Sequence, residues 1–373
     1  MDLVSSSPAT ILTQSAFVST IARSHKVLPR RRDIIVPGLL TGGGFVIGLS
    51  GGLNGCAPKP PLPNSTTNSL DAVCTVAMIG DIVRQIGGSR VNITTLMGSG
   101  VDPHLYKATS DDFRVLGTAQ LTFAVGLLLE GRLQQSLQKL GQTREVIFVA
   151  DQIPKGRLLG DAATESSTAP AHPDHPDPHV WLDIELWSQI VFPITAALTT
   201  RLPEFSSEFA AASQTLLEEL RQLHAYGKHV IGSIPETSRV LVTSHDAFQY
   251  FGRAYGLEVL GVQGISTESE AGLLRVNQLV DLLVKQKISA VFVESSVPRK
   301  SIAALIEGAA SRGHSVRIGG SLFSDAMGAD GTWEGTYQGM LDHNLTTVAL
   351  ALGGSAPQKG FKGRLSAPRK ADF

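Results

Sequence analysis

Residues 203–232 read PEFSSEFAAASQTLLEELRQLHAYGKHVIG, and the rest of the chain falls into two halves on either side of this stretch. Phe205, Phe209, Leu216, Leu217, Leu220 and Leu223 recur near the spacing of one helical face, and no proline follows Pro203. The stretch therefore predicts one continuous helix. At the rise of an α-helix it would be roughly 40 Å long, enough to run the height of two lobes as a stiff strut and to limit hinge motion between them.

On both sides, short apolar runs alternate with amphipathic ones. Before the strut, in residues 70–202, Val73–Met78, Val91–Leu96, Leu121–Val125 and Val146–Val149 read as strands. Ile79–Ile86, Ser110–Leu116 and Leu129–Leu140 read as helices, the second opened by a serine cap with two aspartates in its first turn. After the strut, in residues 233–353, the strands are Val240–Thr243, Leu257–Val262, Ala290–Glu294 and Ser315–Ile318, and the helices are Ala247–Tyr255, Gly272–Lys285, Pro298–Ser311 and Tyr337–Leu352. Alternation of this kind implies a mostly parallel sheet covered on both faces. The expected fold class is α/β, with two lobes, each a mostly parallel sheet flanked by helices, joined by one long rigid helix. Residues 354–373 are rich in Gly, Pro, Lys and Arg without periodicity, which predicts a disordered tail.

Hydrophobic residues make up 42% of the 373 and charged residues 17%, a balance that builds folded domains. Lys and Arg number 32 against 33 Asp and Glu, with no basic block beyond the N-terminus, which argues against a nucleic-acid partner. Residues 1–56 read as an export signal: Arg30-Arg31-Arg32 precedes an uncharged, glycine-rich run from Ile34 to Leu53. Arg31-Arg32-Asp33-Ile34-Ile35 resembles a twin-arginine signal, with the general secretory route as the other path. Leu53-Asn54-Gly55-Cys56 resembles a lipobox, in which Cys56 would carry lipid and become the mature N-terminus. An uncleaved membrane anchor is the competing reading, since the run is long enough to span a bilayer. Its glycines and small-residue exit favour cleavage. Either way the working part is exported and tethered to a membrane, and residues 57–69, rich in Pro, Asn, Ser and Thr, form a flexible linker. With Cys56 lipidated, Cys74 has no disulfide partner and reads as a core residue.

Chemistry enters at Asp174–Asp183, DHPDPHVWLD, where an imidazole stands between prolines and carboxylates beside an apolar Val-Trp-Leu. The tripeptide Asp-Pro-His that contains His179 occurs once more, at Asp102-Pro103-His104 in GSGVDPHLY. Proline stiffens the backbone before each histidine, so an imidazole there loses little entropy on ordering around an ion. One copy alone would be ordinary turn chemistry; two suggest two metal ligands. His245 follows the strand Val240–Thr243, and Asp325 lies past the strand Ser315–Ile318, so both are expected at the carboxyl ends of strands, where open parallel sheets bind ligands. Taken singly, His245 could be an idle neighbour of a helix cap and Asp325 a turn residue. Taken together, three imidazoles and one carboxylate from two lobes can fill a tetrahedral shell around one divalent cation.

The segments GSGVDPHLYKATSDD, DPHVWLD, VTSHDAFQYFGRAYGL, GISTESE and DAMGADGTWEGTYQGMLDHN together resemble the TroA-like family of zinc and manganese solute-binding lipoproteins of ABC transporters. The resemblance spans nearly everything from Val73 to Leu352. It implies two α/β lobes joined by a long helix, metal ligands at His104, His179, His245 and Asp325, a periplasmic or cell-surface location, a permease partner, a monomer, and no enzymatic reaction. Manganese members usually carry Glu at the position of His245, and zinc members often carry a long His-rich insertion before the second ligand. Here only Glu165–Pro178, with His172 and His175, occupies that place. Three imidazoles and one carboxylate favour zinc over manganese as cargo.

His172 and His175 read as a loop that either assists metal capture or is simply solvated, and His224, His229, His314 and His343 as structural. The rivals from other classes are a secreted zinc hydrolase, with Glu268 or Glu294 as base, and an adhesin using metal as a structural part. A closed four-ligand shell argues against the hydrolase, because catalytic zinc keeps a position open for water.

Overall fold

Each run of β-branched and apolar residues before the strut becomes a strand of one sheet. The computed structural model describes residues 69–160 and 176–366. In the first half, β1 (Leu70–Val76), β2 (Val91–Met97), β3 (Leu121–Ala124) and β4 (Val146–Phe148) form a sheet of order β2-β1-β3-β4, parallel throughout. Helices α1 (Ala77–Gly87), α2 (Ser110–Thr118) and α3 (Arg132–Leu140) make the crossovers that parallel pairing requires. Helix α1 buries Met78, Ile79, Ile82, Val83 and Ile86. The cap of helix α2 lies one residue earlier than expected: Thr109, not Ser110, is the N-cap. Its hydroxyl accepts from the Asp112 amide, and the Asp112 carboxylate answers to the Thr109 amide.

Two helices without a clear signature, α4 (Ile184–Trp187) and α5 (Val191–Arg201), lead into the strut. The strut itself starts with a 3-10 turn at Pro203–Phe205 and continues as α6 (Ser206–Gly232), 27 residues, or about 40 Å. Its buried residues Phe209, Leu216, Leu220, Leu223, Val230 and Ile231 join one apolar core that extends into both halves. Gly227 marks a close approach along it. A Cβ there would stand 2.7 Å from the Tyr255 ring and 2.9 Å from Leu345, so no larger residue fits without displacing one of them.

After the strut come β5 (Val240–Thr243), α7 (Gln249–Tyr255), β6 (Glu258–Gly261), α8 (Leu273–Gln286), β7 (Ala290–Glu294), α9 (Lys300–Ser311), β8 (Arg317–Leu322) and α10 (Tyr337–Ala351). Here the strands form two parallel pairs, β5 with β6 and β7 with β8, with β5 beside β7. The chain is thus α/β, with mostly parallel sheets flanked by helices and a long helix between the halves. The two halves also touch directly. Asp81 accepts the Tyr337 amide, Gln85 and Gln338 exchange amide hydrogen bonds, and the Trp181 indole donates to the Ser324 carbonyl at 2.7 Å.

The expected disorder from residue 354 is wrong as far as Ser366. Asp342 accepts the Phe361 amide at 2.7 Å, Glu334 accepts the Ser366 amide at 2.8 Å, and Leu365 is buried. Composition alone cannot reveal such anchoring, because both carboxylates belong to distant parts of the chain. Residues 1–68, 161–175 and 367–373, and with them Cys56, His172, His175 and the export signal, lie outside the described residues. Among the described residues no helix is long and apolar enough to cross a membrane.

Candidate metal centre

His104 stands in the loop that follows β2, His179 directly before the turn Val180–Leu182, His245 two residues past β5 and Asp325 three residues past β8. The two halves of the chain thus contribute two side chains each. All four are buried, and one donor atom from each lies within 4.8 Å of every other. His179 Nε2 is the hub, at 3.2 Å from His104 Nε2, 3.4 Å from His245 Nε2 and 3.3 Å from Asp325 Oδ1. Asp325 Oδ2 is in turn 3.3 Å from His245 Nε2. The edge of a tetrahedron around a zinc ion with ordinary zinc–nitrogen bonds is about 3.3 Å, so these separations suit a shared cation. Asp325 Oδ1 has no hydrogen-bond partner despite complete burial, which is costly unless a cation or a protonated imidazole faces it.

The histidines are oriented from behind. In both Asp-Pro-His turns the aspartate accepts the histidine's own backbone N–H, Asp102 from His104 at 2.9 Å and Asp177 from His179 at 2.9 Å. Proline leaves the intervening residue without a donor, which frees the carboxylate for the amide beyond it. Asp177 also pairs with His179 Nδ1 at 2.7 Å. Glu294, the last residue of β7, treats His245 in the same way, with Oε1 at its amide (2.9 Å) and Oε2 at its Nδ1 (2.5 Å). Each pairing leaves Nε2 aimed at the centre and makes it a better donor to a metal. The supporting role of Asp177 and Glu294 was not legible in the sequence, although Asp177 stands inside the quoted motif. Glu294, a candidate base for hydrolysis, has both oxygens engaged by His245, and Glu268 is exposed. His224 contacts the Tyr255 hydroxyl, His314 the Ile288 carbonyl and His343 the Ser321 carbonyl, while His229 is exposed.

Electrostatics divide the three imidazoles. Burial pushes His104 down to about 3, so it is neutral at pH 7. Burial also opposes charge on His179, but Asp177 and Asp325 outweigh it and raise the group to about 9. His245 is likewise raised well above the usual histidine range, Glu294 and Asp325 overcoming its burial. Asp325, disfavoured by burial, is held well below the carboxylate range by His245 and His179. At pH 7 two imidazolium rings and one carboxylate therefore stand together with a neutral His104. A divalent cation would replace the two Nε2 protons with little change in local charge.

The family model described as the periplasmic component A of the zinc-uptake complex matches residues 72–351. The chain belongs to this zinc-uptake component A family. Among its relatives, the manganese-binding lipoprotein MntA of Bacillus subtilis (strain 168) is 46% identical over 80% of this chain and 95% of its own length. The zinc-binding protein TroA of Treponema pallidum (strain Nichols) is 44% identical over 75% of this chain and 88% of its own. The solved structure of that periplasmic zinc-binding TroA superposes with a TM-score of 0.72 at 43% identity, covering 76% of this chain and 99% of that one. A zinc-named and a manganese-named relative thus stand at nearly equal distance, and overall identity does not decide between the two metals. The family assignment agrees with the resemblance drawn from the motifs.

Proposed function

We propose that the protein captures a divalent metal outside the cytoplasmic membrane and delivers it to an ABC permease for import, performing no bond chemistry itself. The ligands are His104, His179, His245 and Asp325. The observation that carries this reading is the convergence of their donor atoms, at 3.2–3.4 Å for each close pair, from both halves of the chain. Residues 70–202 act as one metal-binding lobe, 233–353 as the other, and 203–232 as the connecting helix. Both halves being hydrogen-bonded together supports a site that closes around the ion with little hinge motion.

Zinc is the favoured cargo over manganese, because three imidazoles with one carboxylate suit the softer ion and the edge lengths suit zinc. Lipid on Cys56 would hold the protein at the membrane as a monomer, near its permease. Supporting that are the lipoprotein name of MntA and the basic, apolar leader in residues 1–56. The test is metal analysis of the purified protein after exposure to zinc and manganese in competition at limiting concentration. The expected result is one zinc per chain with manganese excluded; a protein that takes up neither metal contradicts the reading.

A further inference from the structure

The two Asp-Pro-His turns use their aspartates differently. Asp177 spends one oxygen, Oδ1, on both the amide and the ring of its own histidine. Asp102 gives Oδ1 to the His104 amide and turns Oδ2 to the Thr267 hydroxyl, at 2.6 Å, in the other half of the chain and 165 residues away. Among the described residues the His104 ring has no carboxylate behind its Nδ1, and His104 is the least buried ligand, 8% exposed against 0–2% for the others. Thr267 sits in the loop 264–270. It is the one buried residue of that loop and, among the described residues, the only one there that hydrogen-bonds across to the first half.

We propose that the Thr267–Asp102 hydrogen bond is a latch that holds His104 on the metal and sets the rate at which metal leaves. The inference rests on the metal-capture reading above and adds the route of release. His179 and His245 are held by the buried carboxylates of Asp177 and Glu294, and Asp325 is itself only 2% exposed, so the ion loses His104 first. While Thr267 holds Asp102, that carboxylate cannot turn away from the His104 amide, and the loop keeps Nε2 on the cation. When the hydroxyl lets go, Asp102 and the loop are free to swing outward, leaving the ion on three ligands with water able to enter. Thr267 and Asp102 are positioning residues, since neither touches the metal.

The test compares Thr267→Val, which lacks the hydroxyl, with Thr267→Ser, which keeps it, in the full chain loaded with zinc. Zinc release into excess chelator is followed with time, and the visible absorption of the cobalt-substituted proteins reports the ligand set at equilibrium. Thr267→Val is expected to release zinc about tenfold faster, the scale of one lost hydrogen bond to a carboxylate, with its cobalt spectrum unchanged. Thr267→Ser should stay within about twofold of the unaltered protein, and Thr267→Ala serves in place of Thr267→Val should the latter not fold. The latch is overturned by a release rate in Thr267→Val equal to that of the unaltered protein, by equal acceleration in Thr267→Ser, or by a changed cobalt spectrum. If the unaltered protein holds neither zinc nor manganese, the capture reading falls and the latch with it; if it holds metal and Thr267→Val releases that metal no faster, only the latch falls.

Discussion

The two Asp-Pro-His turns share three residues and an identical aspartate-to-amide bond, yet one is locked and the other hangs on a contact with the opposite half. At His179 the ring is oriented from within the turn, where Asp177 grips both the amide and Nδ1, and Tyr250 from the second half reaches only the Asp177 backbone carbonyl, at 2.9 Å. At His104 the turn is completed only by Thr267. The difference teaches that a repeated motif fixes where a ligand sits, while its surroundings fix how firmly it stays.

The strongest way to break this comparison is to remove a ligand from the locked side. His179→Ala or Asp325→Ala should weaken zinc binding by more than about 100-fold, beyond the range for partners outside the shell, when affinity is measured by competition with a chelator. Asp177→Asn should cost about 10–100-fold, seen in affinity, because the His179 ring then rests on a neutral amide oxygen and loses the carboxylate that makes its Nε2 a better donor. Asp102→Asn keeps an acceptor for the His104 amide and should cost less, about tenfold, appearing mainly in the release rate. Equal losses from Asp102→Asn and Asp177→Asn would erase the distinction between the turns.

A change of pH sharpens the same contrast. His179, raised to about 9, and His245, raised well above the histidine range by Glu294 and Asp325, carry protons at pH 7 that metal must displace, whereas His104, lowered to about 3, carries none. Zinc binding near pH 7 should therefore release about two protons, measurable by calorimetry in buffers of different ionisation enthalpy. Affinity should rise with pH until the metal-free histidines have lost those protons, around pH 9 for His179. Release of three protons would place His104 with the others. The smallest effect is expected of His172→Ala, within about twofold in affinity, since four ligands complete a zinc shell without it.

The four proposed ligands were visible in the sequence because each stands beside a local signal. His245 follows an unbroken Val-Leu-Val-Thr, and the repeated Asp-Pro-His drew attention to His104 and His179. Asp325 was found even though its strand was expected to end at Ile318 and runs on to Leu322 through Gly319 and Gly320, residues that weaken any strand pattern. What stayed hidden depends on tertiary neighbours. Glu294 reads as the end of a buried strand and reaches His245 only because β5 lies beside β7. Asp102 and Thr267 meet only once the halves are assembled. Helix α5 carries Pro193 in its first turn, where the missing amide costs nothing, but the residue obscured the helix in the sequence.

The central claim is that side chains from both halves surround a single cation. X-ray absorption at the zinc edge of the loaded protein tests it most directly. The account predicts one zinc per chain with three imidazole nitrogens and carboxylate oxygen at about 2.0–2.2 Å. A shell with fewer than three imidazoles, or one containing sulfur, would contradict it.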